Sequence, residues 1–180
     1  MLHTAVCSVP QMASIGHVAV GMAAGRAYTK DPALAKKAMV VFSIVSIWPD
    51  VDAVAFALGI PYEAPLGHRG ATHSIAMAVV VALLGYYVAF REELPRMRTA
   101  SYTFVVAVSH GLLDTMTYGG GYGCALLWPF SNQRFWAPVR FIPIAPIGAH
   151  LISVRGLKVM LAELVIFSPF WIYALWPRKK

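Results

Sequence analysis

Charged residues are scarce in this chain. Asp, Glu, Lys and Arg make up 13% of its 180 residues, whereas 58% of the residues are hydrophobic and the mean hydropathy is +0.62. A soluble domain averages about 25% charged and about 45–50% apolar residues. The composition therefore argues against a soluble protein and favours a membrane-embedded one. The length suits one domain, which we expect to span residues 12–180 behind a loose N-terminal tail, residues 1–11.

Two further absences narrow the class of protein. The chain has two cysteines, Cys7 and Cys124, which are too few and too far apart for a disulfide framework or a thiolate zinc site. Residues 1–11 also lack the basic n-region of a cleaved signal peptide, and Met12 is an alternative start. We therefore expect neither a disulfide-stabilised secreted domain nor a thiolate metal centre.

Acidic residues are outnumbered by basic ones, which gives a formal net charge of +7. A nucleic-acid-binding protein would present its basic residues on one face, interleaved with aromatic residues. Here ten of the fifteen Lys and Arg residues lie at the ends of apolar stretches, in residues 26–37, 91–98 and 178–180. Membrane proteins mark their cytoplasmic loops in this way. We therefore expect membrane lipids rather than nucleic acid as partners, and a multi-pass protein of the cell inner (plasma) membrane.

The apolar stretches predict an all-α, polytopic helical membrane bundle of about five helices, with a long Gly/Pro-rich loop at 118–150 before the last one. The predicted helices are 12–28, 33–48, 75–90, 100–116 and 157–176. The second helix either ends before Pro49 or continues through a kink there to Ile60, which would place two aspartates inside the span. In the first helix, Gly21 and Gly25 form a GxxxG pair, which either allows another helix to approach closely or reflects a general use of small residues.

The predicted topology brings the polar clusters of the chain to one end of the bundle. If the basic groups lie in the cytoplasm, the alternation of the helices carries every cluster to the opposite side of the membrane. Ionisable groups in lipid-like surroundings are costly and normally persist because they bind something. These clusters are His17; Asp50 and Asp52; His68, Arg69 and His73; His110 and Asp114; and Glu163. We therefore expect a functional site on the side opposite the cytoplasm.

Two pairs of residues carry most of the metal-binding signal. His110 and Asp114 lie four residues apart, on one face of a predicted helix. They can chelate one cation together, or one can ligate while the other orients it; a simple helical His–Asp hydrogen bond is the structural alternative. Asp50 and Asp52 follow a proline, so that one carboxylate can face a metal and the other a second metal or an outer shell. A turn aspartate is the alternative, for Asp52 in particular.

Other polar residues complete the predicted site. His68 and His73 bracket a glycine-containing turn that can bring both rings inward. Arg69 either holds a phosphate or carboxylate through its planar guanidinium or lies at the membrane surface. His17 and Glu163 are included because the topology places them at the same end of the bundle.

These residues together predict a metal-dependent site. The expected metal ligands are His17, Asp50, His73, His110 and Asp114. Catalytic or supporting roles are expected for Asp52, His68, Arg69 and Glu163. Histidine and carboxylate ligands without thiolate suit one or two divalent ions, zinc above all, with manganese or iron as alternatives. Because such a site activates water for attack, we expect a membrane-bound hydrolase acting on a phosphoester or ester bond of a lipid-linked or phosphorylated substrate.

The same residues resemble the YdjM family of bacterial and archaeal inner-membrane proteins, which are described as metal-dependent hydrolases. The motifs that carry the resemblance are Gly16–His17, Pro49–Asp52, Gly67–Ser74, His110–Asp114 and Leu126–Pro129, in that order. The block His-Arg-Gly-Ala-Thr-His-Ser at 68–74 is the most specific of them. The resemblance implies a helical membrane bundle and a hydrolase, without a substrate. A weaker similarity to zinc-dependent phospholipases C, which also use a His-x-x-x-Asp pair, gives the five expected ligands comparable roles. The chain lacks the further histidines of the three-zinc site there, which favours one or two ions.

Two non-enzymatic functions are the alternatives. Intramembrane acids and histidines also mark ion transport paths, so the chain is interpreted alternatively as a metal ion carrier. A path needs ligands along the bilayer, however, and the clusters here lie at one end. The other alternative is a membrane scaffold whose polar groups pair only with one another.

Overall fold

The computed structural model describes residues 11–12, 15–119, 121–146 and 152–178, and it is mostly helical. The helices are α1 (Ile15–Tyr28), α2 (Pro32–Ile47), α3 (Val54–Ala57), α4 (Ile75–Arg91), α5 (Arg96–Thr115), α6 (Val154–Ile166) and α7 (Ser168–Leu175). Residues 1–10 of the predicted tail lie outside the described residues. The start of α2 follows from its sequence: the Asp31 side chain accepts a hydrogen bond from the Leu34 amide at 2.6 Å, and Pro32 occupies the first helical turn.

The second predicted helix follows its longer alternative. A 3₁₀-helical segment, Trp48–Ala53, joins α2 to α3. The chain therefore changes from α to 3₁₀ geometry around Pro49 but remains helical. The resulting segment, Pro32–Ala57, has 26 residues and is long and apolar enough to cross a membrane. Asp50 and Asp52 therefore lie inside a candidate membrane span.

The last predicted helix is divided into two. Helices α6 and α7 are bent by 67° relative to each other, and the bend lies at Phe167, two residues before Pro169. Taken as one broken span they form a second candidate crossing, whereas the apolar part of α4, Ile75–Ala89, is shorter. The described residues thus contain one or two candidate spans, and the bundle of five crossings stays a prediction.

The predicted Gly/Pro-rich loop carries short strands, so the chain is not purely helical. Strand β2 (Thr117–Tyr118) pairs in parallel with β3 (Ile142–Pro143). Strand β1 (Gln11–Met12) pairs antiparallel with β4 (Ala145–Pro146). The strands tie the loop to the end of α5 and to the segment before α1, which fixes the loop against the helices.

Helix α1 is the centre of the helical packing, since it contacts α2, α5, α6 and α7. Gly21 and Gly25 let α2 approach closely: a Cβ on Gly25 would lie 2.3 Å from the Met39 Cα, and one on Gly21 would lie 2.5 Å from the Phe42 carbonyl oxygen. The GxxxG pair therefore serves helix packing. Outside this core, α4 exposes large apolar side chains such as Leu83 and Leu84, which suit a lipid-facing surface.

The basic groups of the chain converge at one end of the bundle. Arg178 donates hydrogen bonds to the carbonyls of Thr29 and Lys30 at 2.9 and 2.8 Å. The Tyr28 and Thr99 hydroxyls are 2.8 Å apart, so the C-terminus of α1 and the start of α5 share this end. His17, near the start of α1, and His110 and Asp114, in the last turns of α5, lie at the opposite ends of the same helices.

The close approach of α1 and α2 predicts that Gly25→Leu destabilises the protein. A side chain at this position must displace the α2 backbone, and overpacking of this kind costs about 1–3 kcal/mol. We expect the thermal midpoint of the purified protein to fall by several degrees. The matched control is Ala27→Leu, two residues further along α1 at an exposed position. Equal midpoints for the two variants would contradict the packing.

Candidate metal centre

Four buried side chains from three parts of the chain meet at one point. Asp50 comes from the 3₁₀ segment after α2, His73 from the turn before α4, and His110 and Asp114 from the last turns of α5. Each is at most 6% exposed. One ligand atom from each residue lies within 4.8 Å of the other three.

The separations of these atoms match those of a tetrahedral cation site. The Nε2 atoms of His73 and His110 are 3.1 Å apart. The Asp50 Oδ1 atom lies 3.6 and 3.5 Å from them, and the Asp114 Oδ2 atom lies 3.4 and 3.9 Å from them. Ligands about 2.0–2.1 Å from a zinc ion in tetrahedral geometry are about 3.3–3.4 Å apart. The four residues therefore fit a single cation at their centre.

The hydrogen-bonding state of the carboxylates also indicates a cation. Both Asp50 side-chain oxygens and the Asp114 Oδ2 atom are buried and have no hydrogen-bond partner. A buried carboxylate is costly unless it is paired or bound to a metal. Arg69 Nε lies 3.0 Å from Asp114 Oδ2, but Asp50 has no cationic side chain of Lys or Arg paired with it among the described residues. The gap between the two carboxylates therefore favours a further positive charge.

The histidines are held with their Nε2 atoms toward the centre. His110 Nδ1 lies 2.6 Å from the Ser46 carbonyl oxygen, to which it donates a proton. His73 Nδ1 lies 3.1 Å from Asp52 Oδ2. Both hydrogen bonds leave the Nε2 lone pair available to a metal, in the arrangement that commonly orients metal-bound histidines.

Asp52 supports the centre and is not itself one of the four ligands. Its oxygens accept hydrogen bonds from the His68 ring at 2.6 Å, the Arg69 amide at 3.1 Å and the Thr72 hydroxyl at 2.5 Å. Asp50, Asp52 and His68 form a second group with ligand atoms in reach of one another. The 2.6 Å contact in that group is a hydrogen bond, shorter than two ligands of one cation would be. The geometry therefore fits one ion better than two.

The charges of the cluster agree with one divalent cation. Asp50, Asp52 and Asp114 carry three negative charges, and the fully buried Arg69 carries one positive charge, with its Nε atom 3.0 Å from Asp114 Oδ2. Burial opposes charge on Arg69, but the surrounding groups, Asp114 foremost and Asp50 among them, together outweigh it and raise the pKa of the guanidinium. One divalent ion would make the cluster neutral with every histidine uncharged. Burial also opposes charge on His73, yet the nearby carboxylates of Asp114, Asp50 and Asp52 raise its pKa well above the usual value, in agreement with a position that favours positive charge.

Arg69 is held in an unusual backbone conformation. Its φ is 60°, in the left-handed region, which costs a non-glycine residue about 1–3 kcal/mol. Flanking hydrogen bonds fix it there: its amide donates to Asp52 and its carbonyl accepts from Ala125 at 2.9 Å. Its Nη1 atom donates to the Thr117 hydroxyl at 3.0 Å, whereas Nη2 is buried without a partner.

Two predicted site residues lie beside the four-residue centre. His17, expected as a ligand, stacks on His110 with ring centroids 3.9 Å apart, and its Nε2 lies 3.2 Å from Asp114 Oδ1. It thus contacts the outer oxygen of a ligand. Glu163 accepts a hydrogen bond from the Gly16 amide at 2.9 Å, at the N-terminus of the helix that carries His17, where a carboxylate is stabilising.

Sequence reasoning missed the residues that hold the site together. Arg134 donates hydrogen bonds to four carbonyls, those of Tyr62, Ala64, His68 and Gly123, and so joins the two loops over the centre. Gly111 lets the turn that carries His73 approach α5 closely. A Cβ at Gly111 would lie 2.5 Å from the His73 carbonyl oxygen. Gly111 was detectable as a small residue beside a candidate ligand. The role of Arg134 could not be predicted from the sequence, because the residue lies in an irregular loop without helix or strand periodicity.

Comparison with known proteins places the chain in a family. The model of the YdjM inner membrane protein family matches residues 12–179. The chain belongs to the YdjM family. The inner membrane protein YbcI of Escherichia coli (strain K12) is 38% identical over 126 residues, which cover 68% of this chain and 71% of YbcI. No solved structure matches the chain significantly. The expected resemblance to the YdjM family and the expected inner-membrane location are thereby confirmed.

Asp52 holds His73 without being one of the four ligands. We therefore expect Asp52→Asn to weaken metal binding without abolishing it. Replacing the partner of a metal-bound histidine typically weakens metal binding about 10–100-fold. Direct titration of the apoprotein with zinc measures the change, and Asp31→Asn, at the distant start of α2, is the matched control. Unchanged affinity in Asp52→Asn would show that this contact does not support the centre.

Cys124 provides a reporter for the loop beside the centre. Cys124 is fully buried, and its backbone forms an isolated antiparallel β-bridge with Phe135. Burial raises the pKa of its thiol to about 12. Because the thiolate is the reactive form, we expect Cys124 in a Cys7→Ser variant to resist alkylation at pH 8 until the protein is denatured. Rapid labelling of the native protein would contradict the packing of this loop.

Proposed function

We propose that this YdjM-family protein is a metal-dependent hydrolase of the inner membrane. A single divalent cation, zinc above all, is held by Asp50, His73, His110 and Asp114. Its substrates are phosphoesters or esters that carry a lipid part. The observation that supports the proposal is the set of four buried ligand atoms, two imidazole nitrogens and two carboxylate oxygens, that lie within 4.8 Å of one another.

The donor set favours zinc. Two imidazoles and two carboxylates without thiolate are typical of hydrolytic zinc sites, whereas magnesium and calcium prefer oxygen ligands alone. A zinc ion supplies Lewis acidity and lowers the pKa of a bound water to about 7. Neutralisation of the buried cluster by a divalent charge supports the same assignment.

Side chains of the protein supply proton transfer, substrate binding and positioning. Asp50 has a second side-chain oxygen without a partner, which is available to accept a proton from an attacking water. The unpaired Nη2 of Arg69 is available to a phosphate or carboxylate oxygen. His68 acts through Asp52, and Glu163 acts through the start of α1, so both are positioning residues.

The proposed orientation follows from the distribution of charge. The basic groups of residues 26–37 and 91–98 gather with Arg178 at one end of the bundle, and the positive-inside rule assigns that end to the cytoplasm. The metal centre, at the opposite end, would then lie toward the outer side of a multi-pass protein.

One observation favours a second function. All four ligands come from the protein and are buried, and closed four-ligand sites are typical of structural zinc, whereas catalytic sites keep a position for water. In this second function the ion fastens α5 to the segments around Asp50 and His73 and takes no part in a reaction.

Metal analysis and hydrolysis assays test the two functions together. We expect about one zinc per purified chain, lost in Asp50→Asn and His110→Gln and retained in Glu92→Gln, an exposed control. We also expect a phosphodiester and a carboxylic ester, each with a long acyl chain, to reveal a metal-dependent hydrolysis that disappears in the same two variants.

The outcomes separate the hypotheses. Stoichiometric zinc without hydrolysis of either ester class would contradict the enzyme and support the structural ion. A native protein that takes up no divalent cation would contradict both.

A further inference from the structure

Three cationic side chains surround an apolar pocket at the basic end of the bundle. The pocket lies between α1, α2 and α7 and has a volume of about 300 Å³. Arg26, Lys36 and Arg178 line it, above apolar atoms of Met39 and Leu175. Along α1, Arg26 is nine residues from His17, about 14 Å at 1.5 Å per residue. The pocket is therefore separate from the metal centre.

The positive charge of this pocket is not neutralised by the protein. Within the described part of the chain, no carboxylate lies within 4 Å of Arg26, Lys36 or Arg178. Arg178 donates to the carbonyls of Thr29 and Lys30, and Arg26 donates to the Ala174 carbonyl at 3.2 Å. These bonds fix the guanidiniums at the C-termini of α1 and α7. Two helix ends contribute about half a negative charge each, so three full positive charges leave the pocket cationic.

An apolar groove continues from this pocket along α2. The groove has a volume of about 420 Å³ and shares Lys36 and Met39 with the pocket. It passes Val40 and Ile44 and ends at Ile47. From Lys36 to Ile47 the helix rises about 16 Å, close to half of a hydrocarbon core about 30 Å thick. The groove is therefore about as long as one leaflet of a bilayer is deep.

We propose that the pocket and groove bind one anionic phospholipid of the membrane. Its phosphate lies among Arg26, Lys36 and Arg178, and one acyl chain lies along α2 toward Ile47. Basic pockets between membrane helices on the cytoplasmic side are suited to anionic headgroups, and arginine pairs with phosphate oxygens through parallel hydrogen bonds. The continuity of the cationic pocket with an apolar groove of leaflet length distinguishes a lipid from a free phosphate.

Native mass spectrometry of the full-length protein in detergent tests this proposal. The probes are phosphatidylglycerol, which is anionic, and phosphatidylcholine with the same acyl chains, which is zwitterionic. We expect phosphatidylglycerol to bind more tightly. In Lys36→Gln its dissociation constant should rise about fivefold, the effect of one basic residue near a membrane anion. Lys36 is exposed, so the variant keeps its fold, which its thermal midpoint verifies.

The control and a competitor complete the test. Lys158→Gln, on α6 and away from the pocket, should bind phosphatidylglycerol like the unmodified protein, and glycerol phosphate should not displace the lipid. Equal binding of the two lipids, or equal affinity in the two lysine variants, would overturn the proposal. Displacement by glycerol phosphate at concentrations near the lipid's dissociation constant would overturn it too, in favour of a site for soluble phosphate.

Discussion

The structure depends on two buried carboxylates, Asp50 and Asp114, that face one gap. Their oxygens lie beside the Nε2 atoms of His73 and His110, and the Arg69 Nε atom lies 3.0 Å from Asp114 Oδ2. Repulsion between such groups in a low-dielectric interior is strong, and Arg69 alone leaves the cluster with excess negative charge. A divalent cation at this point would resolve the repulsion, and its requirement for close ligands would account for the convergence of separate helix ends.

The rest of the fold supplies that convergence. Gly21 and Gly25 bring α1 and α2 into backbone contact, and Gly111 lets the turn that carries His73 reach α5. Arg134 holds the loop before His68 against the loop that follows α5. None of these residues lies in the centre, yet each removes freedom from a segment that carries a ligand or its partner.

Local patterns predicted the residues that meet at the centre better than the supporting structure. The i, i+4 spacing of His110 and Asp114 and the polar block around His73 are visible in the sequence because lipid-facing helices otherwise exclude such residues. The division between ligands and their partners was not predictable, because Asp50 and Asp52 differ only in which neighbours they meet after folding. The same holds for His17, which contacts Asp114 rather than joining the four. The short strands of the 118–150 loop and the bend at Phe167 depend on tertiary contacts that periodicity does not encode.

X-ray absorption spectroscopy of the zinc-loaded protein tests directly whether the four residues hold one ion. We expect a four-coordinate shell of two imidazole nitrogens and two carboxylate oxygens about 2.0–2.2 Å from the metal. In Asp114→Asn the shell should lose its occupancy or change its ligands. A shell that contains sulfur, a six-coordinate shell of oxygens alone, or a spectrum that Asp114→Asn leaves unchanged would contradict the metal centre described here.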